Sequence, residues 1–261
     1  MSAPKNLDMT DTPATLRLIQ LTDLHLFADI KQSFKGCITQ TALERTLDFI
    51  AAENLRPDAF LLTGDLAHDH KAETYLRLAD MLEHFHVPSF ALAGNHDNEV
   101  VMQSVYPSKG VDMHPWQNMR GWRILLLPTA IPNRADGRID SKLWAQLSAK
   151  MQQPPAQPYL LAMHHNLLDH PLRAIRASVA DAPQYRQALA HWPAVRAVLS
   201  GHVHQPFSIY EGHCLYLSTP STGVLPYPKR VQETMSRPGF RLIDCFADGR
   251  VISDIICPMT H

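Results

Sequence analysis

Long apolar runs are missing from this 261-residue chain. A membrane-spanning helix needs about 20 consecutive apolar residues, so no such segment is expected. Cysteine is sparse: Cys37, Cys214, Cys245 and Cys257 lie far apart with no paired spacing. That argues against a disulfide framework or a thiolate zinc site and leaves reduced, mostly buried thiols as the expectation. An excess of either charge is lacking too. The formal net charge of -1 argues against nucleic acid as a partner, because domains built to grip it carry a basic excess. The first fifteen residues include Lys5, Asp8 and Asp11 and no apolar h-region, so a signal peptide is not expected. No internal repeat or low-complexity tract interrupts the chain. The expectation is a cytoplasmic enzyme with a flexible segment over 1–15, a single domain over 16–256 and a short tail over 257–261.

What the chain does contain is histidine, fifteen of them, and histidine is the commonest metal ligand. Position separates the useful ones. Five short motifs run in order: Asp23-Leu24-His25, Gly64-Asp65, Gly94-Asn95-His96-Asp97, His164-His165 and Gly201-His202-Val203-His204. Each follows a short apolar run that reads as a strand: Leu16–Leu21, Phe60–Leu62, Phe90–Ala93, Tyr159–Met163 and Val195–Leu199. Helical patterns fall between them. Thr41 to Glu44 has the spacing of a capping box, with Leu43, Leu47, Ile50 and Ala51 on one face, and Tyr75, Leu78, Ala79 and Leu82 repeat that spacing. Strands alternating with helices imply an α/β fold, whose ligands bind beyond the carboxyl ends of the strands. From about Phe207 the texture changes to strand-like stretches Phe207–Tyr210, Cys214–Leu217, Phe240–Phe246 and Val251–Ile256, which predicts a second, more antiparallel sheet packed on the first. Pro154, Pro155 and Pro158 mark a stiff loop.

Together the motifs supply Asp23, His25, Asp65, Asn95, His164, His202 and His204 as nitrogen and oxygen donors, enough for two neighbouring metal ions. Asp65 has two oxygens and is the candidate bridge; Gly201 lets the backbone turn close to the metals. Mixed imidazole and carboxylate donors without thiolate suit Mn, Fe, Zn or Co. Two metals about 3.5–4 Å apart are an apparatus for attacking phosphate esters, with a bridging hydroxide as nucleophile on phosphorus. The leaving oxygen then needs a proton. His96 is the natural general acid, with Asp97 orienting or charging it and Asn95 steadying the phosphate. His165 competes with His164 for the ligand role. His68 and His70 read as surface or helix-start residues, Arg173 and Arg176 as a solvated loop, and Trp116 and Trp122 as packing residues.

This ordered pattern resembles the calcineurin-like metallophosphoesterase superfamily over about Leu16 to Ile256. Within it the chain is most similar to the bacterial class III cyclic-nucleotide phosphodiesterases, the group that includes cyclic AMP phosphodiesterase. Leu21-Thr22-Asp23-Leu24-His25-Leu26-Phe27, Gly201-His202-Val203-His204-Gln205 and Ser218-Thr219-Pro220-Ser221-Thr222 carry that closer likeness. The resemblance implies a four-layer αββα sandwich of two mixed sheets flanked by helices. One metal is then held by Asp23, His25, Asp65 and His204, and the other by Asp65, Asn95, His164 and His202. It further implies iron, manganese or zinc as the ions, a small phosphodiester such as 3′,5′-cyclic AMP as substrate, and a homodimer. Three departures fall in loops where specificity would be set: Ile38 in Gly36-Cys37-Ile38-Thr39 stands where Asn is usual, Asn166 follows the histidine pair where His or Pro is usual, and Leu167 to Pro183 lacks the Trp-Leu-Asp pattern of that group. The competing expectations are another small substrate (a glycerophosphodiester, a nucleotide monoester, a phosphoprotein) or a non-catalytic scaffold on the same fold.

Overall fold

Leu16–Leu21 shows in six residues how the chain is layered. Leu16 and Leu18 point to one apolar cluster, and Ile19 and Leu21 to another, as the period-2 alternation of a strand buried on both faces requires. In this computed structural model, which describes residues 13–132, 134–153, 156–169, 178–224 and 237–258, the same alternation recurs in the other central strands, shifted once by a bulge between Val195 and Ala197. In chain order the first half comprises β1 (Leu16–Leu21), β2 (Ser33–Phe34), β3 (Cys37–Ile38), α1 (Thr39–Ala52), β4 (Ala59–Thr63), α2 (Ala72–Glu83), β5 (Ser89–Leu92), α3 (Glu99–Val105) and β6 (Val111–Asp112). The second half comprises β7 (Trp116–Met119), β8 (Trp122–Leu126), α4 (Ser141–Met151), β9 (Tyr159–Ala162), α5 (Ala182–Leu189), β10 (Val195–Ser200), β11 (Phe207–Glu211), β12 (Cys214–Ser218), β13 (Phe240–Cys245) and β14 (Val251–Ile256).

Two mixed six-stranded sheets result, ordered β14-β13-β1-β4-β5-β6 and β11-β12-β10-β9-β8-β7. Between them lies one core, built from Leu18, Leu61 and Leu92 of the first sheet and Ile124, Leu160, Leu199 and Leu217 of the second. Helices α1 and α2 cover the outer face of the first sheet through Leu43, Leu47, Tyr75 and Leu78. Helix α4 packs Leu147, and α5 packs Leu189, on the outer face of the second. This is the four-layer αββα sandwich that the resemblance implied.

Several local expectations are corrected. Thr41 does not cap a helix: α1 already begins at Thr39, its preceding residue Ile38 makes no side-chain cap, and Thr39 Oγ1 instead donates to His25 O at 3.0 Å. Ala51 is exposed, so the buried face is Leu43, Leu47 and Ile50 with Thr46. The four late strands do not make a sheet of their own. They form two antiparallel hairpins, β11–β12 joined to β10 and β13–β14 joined to β1, one on each sheet. Of the four free cysteines only Cys214 and Cys245 are buried; Cys37 and Cys257 are half-buried. Trp122 is buried between the sheets and Trp116 is partly buried on the second, as packing residues. Pro154, Pro155, Arg173 and Arg176 lie outside the described residues. No helix among the described residues is long and apolar enough to cross a membrane.

Candidate metal centre

All five motifs begin where a strand ends, at the carboxyl edges of β1, β4, β5, β9 and β10. There the backbone leaves regular geometry. Asp23, His25, Asp65, His202 and His204 have φ of 53°, 46°, 54°, 65° and 56°, the left-handed region that costs a side-chain-bearing residue about 1–3 kcal/mol. Such strain persists only where surroundings impose it, and hydrogen bonds between the loops do so. Asp23 N donates to Gly64 O at 2.9 Å, His25 N to Asp65 O at 2.9 Å, and Gly201 N to His164 O at 3.0 Å. Ser221 Oγ donates to Asp23 O at 2.6 Å, and Thr219 Oγ1 to the buried Gln20 Oε1 at 2.6 Å, so the Ser218–Thr222 segment pins the Asp23 loop to the second sheet. The glycines permit the close approach: a Cβ on Gly94 would stand 2.2 Å from Asp65 Oδ1, and one on Gly201 would stand 2.1 Å from Thr22 Oγ1.

The donors fall into two groups. Asp23, His25, Asp65 and His204 bring ligand atoms within 4.8 Å of one another; His204 Nε2 is 3.1 Å from Asp23 Oδ1 and 3.3 Å from His25 Nε2. In the second group Asn95 Oδ1 lies 3.1 Å from His164 Nε2 and 3.0 Å from His202 Nδ1, and Asp65 Oδ1 lies 3.4 Å from His164 Nε2. Asp65 belongs to both, with Oδ2 3.8 Å from His25 Nε2. His164 Nδ1 sits 2.8 Å from Thr63 O; a proton there leaves the Nε2 lone pair facing the group, the second-atom hydrogen bond usual for a ligating imidazole.

These residues fit metal ions on a test internal to the structure. Asp23 Oδ1 is buried and meets only His204 Nε2, at 3.1 Å and without hydrogen-bond geometry, a costly arrangement unless a cation or water completes it. Burial opposes charge on Asp23, but His204 beside it holds the carboxyl at about 2. Asp65 is likewise held well below the carboxylate range, against its burial, by His164 and His25. Burial depresses His25 to about 3 and, with His164 adding, His202 to about 4, so both stay neutral and able to donate a lone pair. His164 goes the other way: burial works against its proton, but the charge and hydrogen bond of Asp65 raise it to about 9. Anionic oxygens packed against imidazole nitrogens with no thiolate match the expected donor chemistry.

His165 differs from His164. Its Nδ1 is 2.8 Å from Thr129 Oγ1, its ring centroid is 4.5 Å from that of His202, and Gly137 covers the ring so closely that a Cβ would stand 2.5 Å away. Burial, reinforced by His164 and His202, lowers it to about 2. His96 N donates to Asp65 Oδ1 at 2.8 Å, tying the candidate acid to the bridge. Asp97 does not face His96. Its carboxylate accepts from Leu66 N (2.9 Å), Ala67 N (3.0 Å), Tyr75 OH (3.1 Å) and Gly94 N (2.8 Å). It clamps the Gly64 and Gly94 turns together, so the orienting role expected for it is replaced by a structural one.

The structure adds one neighbour read as a surface or helix-start residue and two that the sequence did not single out. His68, expected at the surface, is half-buried; its Nδ1 is 3.2 Å from His25 Nδ1, and its ring stacks on His96 with centroids 5.0 Å apart. The signal available was its place three residues after Asp65. Phe34 packs on both His68 and His25, with centroids at 4.3 and 4.8 Å, and Lys35 at the turn of that hairpin reaches the mouth of the site together with Ser178. Nothing in the pattern marked these two. Asn166 proves to be a buried clamp, its Nδ2 donating to Leu168 O at 2.6 Å and its Oδ1 accepting from Ser178 Oγ at 2.5 Å.

The profile of the calcineurin-like phosphoesterase family matches residues 16–206. A probable cyclic nucleotide phosphodiesterase of Synechococcus sp. is 32% identical over 218 residues, covering 83% of this chain and 84% of its own. A 3′,5′-cyclic adenosine monophosphate phosphodiesterase of Pseudomonas aeruginosa is 31% identical over 264 residues, 98% and 94% of the two chains. Among solved structures, a dimetal phosphatase from Danio rerio superposes with a TM-score of 0.65 at 13% identity, over 94% of this chain and 100% of that one. A purple acid phosphatase from yellow lupin gives 0.61 at 14% identity, over 92% and 51%.

Proposed function

We propose that this chain, which belongs to the calcineurin-like phosphoesterase family, is a two-metal phosphodiesterase that opens a 3′,5′-cyclic nucleotide such as cyclic AMP. As a member of that family it is a phosphoric ester hydrolase; the cyclic substrate is the further step. The observation that carries the reading is Asp65, which clusters with Asp23, His25 and His204 and also faces His25 through Oδ2 and His164 through Oδ1. Relatives across almost the whole length that are named for cyclic nucleotides support the substrate. In this reading Asp23, His25, Asp65 and His204 hold one ion, and Asp65, Asn95, His164 and His202 the other. His164 is preferred over His165 because its Nε2 faces Asn95 and Asp65; His165, whose Nδ1 meets Thr129 and whose buried Nε2 has no hydrogen-bond partner, clusters with His164 and His202. Iron, manganese or zinc suits the donors. When bound, the metals supply Lewis acidity towards phosphoryl oxygen and an acidified water.

The chain's own groups do the rest. Asn95 and His96 steady the phosphate as negative charge grows on its oxygens. Water adds to phosphorus in line with the departing ribose oxygen and gives up one proton to solvent, the phosphorus–oxygen bond breaks, and His96 passes a proton to the ribose oxygen and regains one from solvent. His68, stacked on His96, limits where that imidazole can point.

Substitution of His96 by Ala should leave the metal content intact and lower turnover by about 10²–10⁴-fold; undiminished turnover removes His96 from the mechanism. The substrate is tested by a hydrolysis panel on metal-reconstituted protein: cyclic AMP, cyclic GMP, 2′,3′-cyclic nucleotides, glycerophosphodiesters and simple monoesters. Fast cleavage of another ester with cyclic nucleotides untouched would overturn the assignment.

A further inference from the structure

We infer that the cleft is divided at His96 and that the chamber on its far side holds the nucleobase of the substrate, against Val100 and Ile131. This rests on the cyclic-nucleotide reading. Two cavities meet here. One, of about 310 Å³, is lined by the donors His25, Asp65, Asn95, His202 and His204, with Lys35 at its edge. The other, of about 660 Å³, is lined by His70, Val100, Ile131, Pro132 and Arg134 among others, within the ~300–1,000 Å³ usual for small-molecule sites. Asn95, His96 and Ala135 line both.

Chemistry then orients the substrate. Phosphorus has to lie over the donors, and the departing oxygen has to reach His96. In a cyclic nucleotide that oxygen belongs to the ribose, so sugar and base extend past His96 into the larger chamber. The walls there suit a flat, largely apolar group with a polar rim. A single exposed valine is ordinary. Val100, 76% exposed on α3, is informative because it lines the same concavity as Ile131 and Pro132, which come from a separate loop.

Both walls are held. Asn98 caps α3 by accepting from Val101 N at 3.2 Å, and its own N donates to Tyr75 OH at 2.9 Å. The loop bearing Ile131 is anchored at its base: Arg138 N donates to Thr129 O at 2.9 Å, Gly137 N to Ser178 O at 2.7 Å, and Ala180 N to Gly137 O at 2.8 Å. Arg134 is committed to Asp136 through two contacts of 2.7 Å, so the apolar contact comes from Val100, Ile131 and Pro132, with His70 and Glu99 as the polar rim.

The test compares cyclic AMP with the base-free ribose 3′,5′-cyclic phosphate, which keeps the same ring and departing oxygen. Metal-loaded wild type, Val100→Asn and Ile131→Ala are assayed on both. The preference for cyclic AMP, as a ratio of kcat/KM values, should fall about tenfold in each variant, with the loss in the KM for cyclic AMP; tenfold corresponds to about 1.4 kcal/mol. If wild type prefers cyclic AMP and the variants keep that preference, the base lies elsewhere and the inference fails while the proposed function stands. If wild type hydrolyses neither cyclic ester but cleaves another diester, the proposed function fails and the inference with it.

Discussion

Asp65 is the side chain on which most of the site depends. Its two oxygens face different donor groups, Oδ1 towards His164 at 3.4 Å and Oδ2 towards His25 at 3.8 Å, and Oδ1 also accepts from His96 N. Asp65→Asn keeps the shape and removes the charge. It should lower both the metal content, from two equivalents towards one or none, and kcat/KM by more than about a hundredfold, as read by elemental analysis and steady-state kinetics. Two retained equivalents would refute a shared carboxylate. At this scale the sequence was readable because ligand identity is local chemistry: Asp, His and Asn at fixed offsets from strand ends are all the donor sets require. Asp97 and His68 were not readable for the opposite reason. Asp97 is next to His96 in sequence, but its carboxylate is used by backbone donors of the neighbouring turn. His68, three residues after Asp65, is enclosed at the site by Phe34 from a hairpin distant in sequence, a contact that the sequence does not show.

The elements that matter are the loops after the strands, held in left-handed conformations by one another. Gly201 shows how little room they leave. A methyl group there would lie 2.1 Å from Thr22 Oγ1 and 2.6 Å from Asp23 Oδ2, and His202 N also donates to that Asp23 oxygen at 3.0 Å. Gly201→Ala should therefore displace Asp23 and cost about 1–3 kcal/mol. Unfolding curves and metal titrations together check it, and wild-type metal affinity would show that the loop can yield. The strands leading into these loops were legible from short apolar runs bounded by turn residues. The helix start at Thr39 was not, because Thr41 and Glu44 imitate a capping box one turn late while tertiary contact with His25 O decides where Thr39 goes. The late hairpins were legible as strands only, since period-2 patterning does not encode which sheet a strand joins.

For the whole molecule, the two sheets must keep their edges in register, because the candidate ligands come from both. Asp23, Asp65 and Asn95 follow strands of the first sheet, and His164, His202 and His204 follow strands of the second. Arg241 of β13 is a buried tie between them. Its Nη2 donates to Phe207 O at 3.1 Å and Ser218 O at 2.7 Å, and Nη1 donates to Ser253 Oγ at 2.7 Å. Burial lowers its pKa to about 10, still well above neutrality. Arg241→Met should leave two carbonyls without these donors and cost about 3 kcal/mol, a fall in Tm of roughly 6–12 °C for a domain of this size; an unchanged Tm would mean the tie is dispensable. The layered architecture was implied by family resemblance and motif order, whereas this tie was invisible, since an arginine in a strand pattern reads as an outward-facing charge. The central claim is that two ions, one in each donor group, run the chemistry on a cyclic nucleotide. It is tested most directly by adding metal stepwise to metal-free protein while following conversion of cyclic AMP to AMP. Activity that climbs and levels at two equivalents per chain is the predicted result; full activity with no more than one equivalent, or none with two bound, would contradict it.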